Sequence, residues 1–594
     1  MVPCKNCGSE VIGRFCSNCG QKRDTKPLTF VSILRTAIAT ITELDRGFLY
    51  NLKHLTIDFK ETVLGYLDGK RIRVYNPISY ALIGVSLMIL ISAQFGARVN
   101  LDGPSGAMAQ ADTYGFGFAY GQFITANVKY IWLLGIVFFA LPAALFYRQR
   151  RLTEHIAIQA FIIGHSSFIC AVFFLLWPIK FPGNPILLAV MLALNIWVYW
   201  KMDRELFSPL FGPLIFIFGL IMLIILPMPI YAVYHKITEK PIQQEVVVQN
   251  LKYPWSIAFL SDTTALVTEK DGTLKRANLK SGQQTAIQGM PKDLVKDIRS
   301  TDERDNAGLF EVLLDPDFVT NAWVYLSYTA KLDGGTTTKV IRAKYAKDSL
   351  YNSQTLLVVE PPSGDRFHYG GGMVFDKTNK LIISVGERFY NEKDQPAWPV
   401  AQNPKDARGM IYRINRDGSI PDSNPDFGPD AVPGAYAIGI RATQGLTMNP
   451  KDQKIWFTDH GAVKGDEINI LEAGANYGWP IVTTGKYRNE DYTPPAKRDS
   501  NYQKPVWYWI DPTAPTGLTF YSGESLPEYK NHLFIAGLST GSLWALTTKK
   551  GIIVRGKNVL KESPIRLRKV AQAPDGELYV LTDEENGKII RLYQ

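Results

Sequence analysis

Cysteine is scarce in this chain of 594 residues: there are only five cysteines, and none lies beyond Cys170. Disulfides and thiol catalysis are therefore excluded from the C-terminal half. Four of the five cysteines lie within the first 19 residues, in pairs spaced as metal ligands are. Free thiols of this kind favour a reducing compartment for the N-terminal end.

Two further features are missing. The net charge is +10, but the basic residues form no dense tract, so we expect no nucleic-acid partner. The N-terminus also lacks the charged start and apolar stretch of a cleavable signal peptide. We therefore expect export of any part of the chain to depend on internal membrane-spanning segments.

The N-terminal cysteines form two matching C-x-x-C-G knuckles with eight residues between them: Cys4, Cys7, Cys16 and Cys19. Four thiolates complete a tetrahedral zinc site that has no open position, so the predicted role of the metal is structural. Residues 1–24 are too few to build a hydrophobic core, and zinc would hold them together. The sequence therefore predicts a small zinc ribbon.

The next part of the chain changes from amphipathic to strongly apolar. Residues 25–76 are predicted to be a juxtamembrane helical segment, and with the ribbon they resemble a bacterial membrane domain of unknown function. Residues 77–236 are predicted to be a five-helix transmembrane domain, because they contain five uncharged segments long enough, or nearly so, to cross about 30 Å of hydrocarbon. The segments are about 77–96, 130–147, 156–178, 181–200 and 207–234.

Basic residues predict the orientation of these segments. They are concentrated before the first segment, after the second and after the fourth: Lys70, Arg71, Arg73, Arg148, Arg150, Arg151, Lys201 and Arg204. By the positive-inside rule the N-terminus is cytoplasmic, and five crossings place the C-terminal part in the periplasm. We therefore expect a multi-pass protein of the inner membrane, with lipid as a partner.

Two histidines, His155 and His165, flank or enter the third apolar segment. They could ligate haem or relay protons. Ten residues apart on a helix, however, they point about 80° away from each other. Polar contacts between helices are the favoured interpretation.

Residues 248–594 are predicted to be an all-β, six-bladed β-propeller. Short β-branched and aromatic runs alternate with Asp, Asn, Gly and Pro turns, and an apolar strand, a turn and a second apolar strand recur six times. The first strands of the six units begin near residues 257, 312, 373, 446, 518 and 570. This spacing fits one four-stranded blade per unit. An irregular pair of β-sandwiches is the alternative.

The same region carries an ordered series of motifs. They are Gly308-Leu-Phe, Asp315-Pro-Asp-Phe, His368-Tyr-Gly-Gly, Val385-Gly-Glu-Arg, Arg441-Ala-Thr-Gln-Gly-Leu, Asp459-His-Gly, Gly465-Asp-Glu-Ile-Asn, Asn476-Tyr-Gly-Trp-Pro and Arg566-Leu-Arg. By these motifs, residues 250–594 resemble the glucose/sorbosone dehydrogenase family, which includes soluble quinoprotein glucose dehydrogenase and aldose sugar dehydrogenase. Independently, the alternation of Arg566 and Arg568 places both side chains on one face of a strand.

The resemblance implies a propeller that binds pyrroloquinoline quinone (PQQ) and oxidises a sugar at C1. A respiratory electron acceptor is a further candidate partner, which the sequence does not identify. The resemblance implies His368 as the catalytic base and Arg441 as the arginine beside the quinone oxygens. Implied cofactor-binding residues are Asn306, Glu387, Gln444, Arg566 and Arg568. It also implies calcium on the backbone carbonyls of Gly461 and Ala462, and a second, structural calcium near Asp466 and Glu467.

Five positions depart from the family pattern. Ser539 replaces a cofactor-binding lysine, Ala442 an asparagine, Glu387 an aspartate, Phe367 an acid and Asn306 a glutamine. Each change could remove a hydrogen bond or charge worth about 1–3 kcal/mol from the pocket. The alternative hypothesis is therefore a degenerate propeller that binds carbohydrate or another ligand outside the cytoplasm without catalysis.

Overall fold

The computed structural model describes the chain in thirteen stretches. They are residues 2–23, 46–72, 74–95, 128–176, 185–200, 211–225, 228–229, 240–297, 305–495, 501–539, 541–549, 552–560 and 564–594. The described residues up to 229 belong to one compact unit and those from 240 onward to a second.

The first unit combines a cysteine-rich hairpin with helices. The hairpin strands are β1 (Val2–Pro3) and β2 (Glu10–Val11). The helices are α1 (Arg46–Ile57), α2 (Phe59–Leu67), α3 (Pro77–Phe95), α4 (Val128–Phe146), α5 (Leu152–Leu176), α6 (Pro185–Trp200) and α7 (Phe211–Ile225). Helices α3 to α7 fall on the five predicted apolar segments, whose remaining residues partly lie outside the described ones.

One helix of the described residues, Leu152–Val172 in α5, is long and apolar enough to cross a membrane. Most of it is buried inside the unit, so the core helix of a soluble protein would meet the same test. Shorter apolar stretches occur at Pro77–Ile91, Leu133–Phe146 and Pro213–Leu223. The five-helix transmembrane domain therefore stays a prediction.

Glycines allow α3 and α5 to pack closely. A Cβ atom on Gly84 would lie 2.5 Å from the Gly164 carbonyl oxygen, and one on Gly164 would lie 2.8 Å from Ala81 Cα. Near this crossing, His165 Nδ1 lies 3.0 Å from the Tyr80 hydroxyl. His155, further along α5, is likewise hydrogen-bonded to a tyrosine hydroxyl. These are the polar helix contacts favoured from the sequence.

The second unit is a six-bladed β-propeller, as predicted. Each blade is a four-stranded antiparallel sheet. Blade 1 contains β4 (Pro254–Ser261), β5 (Thr264–Glu269), β6 (Leu274–Asn278) and β7 (Gln284–Ala286); blade 2 contains β8 (Leu309–Leu314), β9 (Trp323–Leu332), β10 (Gly335–Ala346) and β11 (Ser349–Val358); blade 3 contains β12 (Gly370–Phe375), β13 (Leu381–Val385), β14 (Met410–Ile414) and β15 (Ala435–Ile438).

The remaining blades follow in chain order, except for one strand. Blade 4 contains β16 (Gly445–Met448), β17 (Ile455–Asp459), β18 (Glu467–Ile470) and β19 (Trp507–Tyr508); blade 5 contains β20 (Pro515–Phe520), β21 (His532–Gly537), β22 (Ser542–Lys549) and β23 (Ile552–Asn558); blade 6 contains β24 (Leu567–Gln572), β25 (Leu578–Thr582), β26 (Gly587–Tyr593) and β3 (Gln243–Leu251). Short helical turns lie at Phe318–Asn321, Glu392–Asp394, Val400–Gln402 and Pro527–Tyr529.

Blade 6 closes the ring, because β3 from the start of the propeller pairs with β26 from its end. The innermost strands β4, β8, β12, β16, β20 and β24 contact one another in a complete circle. Apolar side chains pack between adjacent blades, as Trp456 and Leu533 do between blades 4 and 5. The blades are separate sheets, and their radial arrangement leaves only short, protected strand edges.

Candidate active site

The topology brings the predicted site residues to one face of the propeller. In an antiparallel blade, the start of the innermost strand lies beside the end of the second strand. His368 and Arg441 precede innermost strands, whereas Glu387 and His460 follow second strands. These side chains therefore come from connections at the same end of the central ring.

His368 is held against Glu387. Its Nδ1 atom lies 3.0 Å from Glu387 Oε1, and Gln395 Nε2 donates to Glu387 Oε2 at 3.0 Å. The side chain of Glu387 is 1% exposed and that of His368 is 11% exposed. The longer glutamate, a departure from the family pattern, therefore reaches the histidine.

The backbone around His368 requires glycine. His368 itself has a φ of 53°, in the left-handed region that residues with side chains rarely adopt. A Cβ on Gly386 would lie 2.0 Å from the His368 carbonyl oxygen. The adjacent Arg388 donates to the Phe367 carbonyl oxygen at 2.9 Å. The turn after β13 is thereby fixed against the segment that presents the imidazole.

Burial sets the charge state of this pair. It lowers the pKa of His368 well below its usual range, and the nearby charge of Arg441 lowers it further. Burial raises the pKa of Glu387 to about 8, against the opposing effect of Arg441. The imidazole is therefore neutral at pH 7 and able to accept a proton. Glu387 ionises only as the pH approaches 8. Once ionised, it fixes the tautomer by accepting Nδ1–H, which leaves Nε2 as the base.

Arg441 is buried with hydrogen-bonding capacity to spare. Its backbone N–H and that of Ala442 donate to the two carboxylate oxygens of Asp459, at 3.0 and 2.6 Å. Its guanidinium lies 5.1 Å from the centre of the Trp479 ring. Within the described residues, Nε and Nη2 of Arg441 have no hydrogen-bond partner. Two buried donors without partners are what an anionic or carbonyl ligand oxygen requires.

Asp583 connects the predicted arginine pair. Arg568 and Arg566 donate to its two carboxylate oxygens, with Nη2 distances of 2.9 and 3.1 Å. Gln444 Oε1 accepts a further hydrogen bond from Arg568 Nη1. Arg568 is buried, whereas the side chain of Arg566 is 51% exposed. This group is therefore a cluster with a net positive charge.

His460 is affected by the charges of both Arg441 and Arg568. Burial lowers its pKa, and the charges of both Arg441 and Arg568 lower it further. Its Nε2 atom donates to the Pro515 carbonyl oxygen at 2.8 Å. Arg441, Asp459 and His460 also line one pocket, together with Glu467 and Trp479. His368, Arg566 and Arg568 do not line that pocket, so its walls contain only part of the predicted set.

Two predicted cofactor positions carry no charge. Asn306 lies beside Asp305, and its backbone N–H donates to the Arg366 carbonyl oxygen at 2.8 Å. Ser539 is held by a backbone hydrogen bond to Thr513. A cation lies beside Asn306, because Lys270 Nζ donates to the Asp305 carbonyl oxygen at 3.4 Å. Lys270 follows β5, and burial lowers its pKa to about 8, with further effects from Arg568, Asp583 and Asp305.

Among the predicted calcium positions, the Ala462 carbonyl oxygen and the carboxylates of Asp466 and Glu467 already accept hydrogen bonds. The Ala462 carbonyl oxygen accepts a hydrogen bond from Arg488 Nη2 at 2.8 Å. The Gly461 backbone N–H donates to Asp466 Oδ1, and Asp466 Oδ2 accepts from two more backbone N–H groups. Glu467 accepts from Thr484 at 2.8 Å, and burial raises its pKa to about 7. The presence of a guanidinium at Ala462 does not fit a divalent cation on the same oxygen.

The four N-terminal cysteines do converge. Their Sγ atoms lie within 4.8 Å of one another, with Cys4 to Cys19 and Cys7 to Cys16 both at 3.5 Å. Tetrahedral zinc with Zn–S bonds of about 2.3 Å separates its sulfurs by about 3.8 Å. Hydrogen bonds from Ser9 lower the pKa of Cys7 to about 6. The convergence of the four sulfur atoms is compatible with zinc.

Sequence reasoning missed Arg488, Lys270 and Asp583. Arg488 and Lys270 act on segments far apart in the chain, whereas Asp583 follows the strand next to the one that bears Arg568. A chemical signal existed for Asp583 alone. Two arginines on one face of a strand need an acidic partner if they are buried.

Comparison with known proteins identifies the family. Residues 251–591 match the Glucose / Sorbosone dehydrogenase family. Aldose sugar dehydrogenase YliI of Escherichia coli is 32% identical over 355 residues, covering 59% of this chain and 92% of that protein. Quinoprotein glucose dehydrogenase B of Acinetobacter calcoaceticus is 25% identical over 426 residues, covering 59% and 87%.

A solved structure gives the same result. The apo form of the soluble aldose sugar dehydrogenase of Escherichia coli is 31% identical, with a TM-score of 0.54, and the match covers 59% of this chain and 99% of that structure. The family match spans more than half of the chain, and it confirms the resemblance stated from the motifs. The chain belongs to the glucose/sorbosone dehydrogenase family of oxidoreductases.

Proposed function

We propose that this protein is a membrane-anchored, PQQ-dependent aldose dehydrogenase that oxidises the C1 hydroxyl of a sugar. The observation that carries the proposal is the arrangement of His368 and Arg441. A neutral imidazole is held by Glu387, while Nε and Nη2 of the neighbouring Arg441 are buried and have no hydrogen-bond partner among the described residues. The relatives named aldose sugar dehydrogenase and quinoprotein glucose dehydrogenase support the same chemistry.

The residues have distinct roles in this proposal. His368 Nε2 accepts the proton of the C1 hydroxyl, and Glu387 holds the imidazole in the required tautomer. Arg441 directs its Nε and Nη2 groups at an oxygen on which negative charge develops. Bound at this face, PQQ would supply a two-electron acceptor for the hydride that leaves C1, so that the sugar becomes a lactone.

Cationic side chains suit the carboxylates of PQQ. Arg566 and Arg568 share a single acid, Asp583, so their cluster has a net positive charge. Gln444 orients Arg568 by accepting a hydrogen bond from it. Lys270, whose pKa is affected by the charge of Arg568, provides a further cation, whereas Ser539 carries no charge. Asn306 is proposed to contact the cofactor from blade 2. Calcium has no role in this set, because Arg488 already occupies the Ala462 carbonyl oxygen.

The N-terminal half is proposed to anchor the enzyme. Its apolar helices and the basic residues that flank them support a multi-pass inner-membrane protein with a cytoplasmic zinc ribbon and a periplasmic propeller. In this arrangement a respiratory acceptor would take the electrons. Reporter fusions at residue 24 and at the C-terminus should place these two ends on opposite sides of the membrane.

Dye-linked oxidation of aldoses tests the enzymatic proposal. The full-length protein, purified in a mild detergent, should gain this activity on addition of PQQ, and His368→Asn should abolish the gain. His532→Asn is the matched control, because His532 is also largely buried but bonds to Thr547 in blade 5. A wild-type protein that takes up PQQ but oxidises no aldose would contradict the proposal.

A second candidate function is a non-catalytic module that binds carbohydrate. The absence of a cation at Ser539 and of an amide at Ala442 favours it. Tight binding of a sugar by a protein that takes up no PQQ would support this alternative. The two functions are thus separated by one measurement of cofactor uptake.

A further inference from the structure

Arg488 lies directly on a carbonyl that the family resemblance assigns to calcium. Its Nη2 atom donates to the Ala462 carbonyl oxygen at 2.8 Å, and its Nη1 atom donates to the Tyr390 hydroxyl at 2.9 Å. The guanidinium is also 4.1 Å from the centre of the Tyr390 ring. Three contacts therefore fix both the position and the plane of this cation.

The segment that bears Arg488 is itself anchored. The backbone N–H groups of Arg488 and Asn489 donate to the two carboxylate oxygens of Glu392, at 3.2 and 3.1 Å. Glu392 is only 2% exposed and belongs to the connection that follows Glu387. The two loops are thus joined at a buried acid, and the guanidinium is held in place before any ligand binds.

This cation belongs to the reaction centre. The charge of Arg488 is one of those that lower the pKa of His368, and it also lowers the pKa of Arg441. Arg488 Nε is buried and, in the part of the chain that the structure describes, has no hydrogen-bond partner. A donor therefore remains for a ligand oxygen.

A guanidinium and a divalent cation compete for such a carbonyl. Calcium binds oxygen at about 2.4 Å, so an ion on Ala462 would lie within about 5 Å of the Arg488 nitrogen. At that separation the two positive charges repel each other strongly in a site shielded from water. Binding of the metal would therefore require Arg488 to move away. Because Glu392 and Tyr390 hold Arg488 in place, we expect that the metal does not bind.

We propose that Arg488 supplies the positive charge beside the Ala462 carbonyl, and that the protein consequently binds PQQ without calcium. The inference rests on the proposed function, since it concerns the same cofactor. It assigns to a side chain of this chain the electrostatic role that the resemblance gives to a metal ion. The loop of residues 484–492, which bears Arg488, is then part of the cofactor site.

Equilibrium binding tests the proposal without a turnover assay. The full-length protein, depleted of calcium, is titrated with PQQ in EGTA and again in excess Ca²⁺, with tryptophan fluorescence as the readout. The wild-type dissociation constants should agree within about twofold. Arg488→Gln should weaken binding in EGTA by about tenfold to a hundredfold. Added Ca²⁺ should recover that loss, and Arg488→Lys, which keeps the charge but not the planar fork, should lose less affinity than Arg488→Gln.

Arg342→Gln is the matched control. Arg342 also donates to a backbone carbonyl, that of Arg416 at 2.8 Å, and stacks on Trp323 at 4.4 Å, but it lies in the outer part of blade 2. It should behave as the wild type does in both buffers. Wild-type binding only in Ca²⁺, or unchanged binding by Arg488→Gln in EGTA, would overturn the inference and leave the proposed function intact. Binding in neither buffer would overturn both.

Discussion

Replacing Glu387 with glutamine should raise the free energy of unfolding and lower the rate of catalysis. Burial raises the pKa of this carboxyl from 4.5 to about 8. One pKa unit corresponds to about 1.4 kcal/mol, so ionisation costs about 5 kcal/mol more in the folded than in the unfolded chain. Because the folded-state pKa is raised, the stability contributed by the protonated form is fully present below pH 4.5 and is lost as pH rises to about 8.

Glutamine keeps the shape of the protonated side chain and cannot ionise. The free energy of unfolding of Glu387→Gln should therefore exceed that of the wild type by about 3 kcal/mol at pH 7 and by less than about 1 kcal/mol at pH 5. Urea titrations of the full-length protein at several pH values measure this difference. The fluorescence of the tryptophan cluster of blades 4 and 5, which includes Trp456 and Trp507, reports the propeller.

The same substitution should slow catalysis. Without the carboxylate, the tautomer of His368 is no longer fixed, and kcat should fall by about tenfold to a hundredfold. The wild-type rate should rise with pH as Glu387 ionises, with an apparent pKa near 8, and the variant should lack this step. Glu472→Gln is the control, since Glu472 is a half-exposed partner of Lys454. A stability difference independent of pH, or a rate step that persists in Glu387→Gln, would refute the reasoning.

Three further substitutions have defined outcomes. Cys16→Ser should reduce bound zinc, measured by metal analysis, from one ion per chain to none, because the thiolates act as one closed site. Gly386→Ala should lower the yield of folded protein measured by gel filtration, since its Cβ would meet the His368 carbonyl oxygen at 2.0 Å. Asp583→Asn should cost about 2 kcal/mol of unfolding free energy at pH 7, measured by urea titration, because Arg568 holds the pKa of this buried acid at about 2. That loss should vanish as pH falls toward 2.

Much of the propeller could be predicted from the sequence, because each blade begins with an apolar pair and a turn that recur along the chain. The six units near residues 257, 312, 373, 446, 518 and 570 are the first two strands of the six blades. The closure by β3 could not be predicted, since it depends on pairing between the two ends of the propeller. Local patterns determine strands, but not which distant strands pair.

Part of the site could be predicted, because several motif residues lie directly before or after a strand and therefore at one face of the propeller. His368, Glu387 and Arg441 follow from such positions, and Glu387, at first a departure, reaches the imidazole through its additional methylene. Arg488 was not predictable, because its role depends on Ala462 and Glu392, which lie in other loops. Loop contacts of this kind are set by tertiary packing and leave no local pattern.

The most direct test of the account is to mix an aldose rapidly with full-length protein loaded with PQQ and to follow the cofactor spectrum. Reduction of the cofactor within a single turnover is predicted for the wild type and its loss for His368→Asn, with cofactor affinity unchanged. Equal rates of reduction in both proteins would contradict the assignment of His368 as the base.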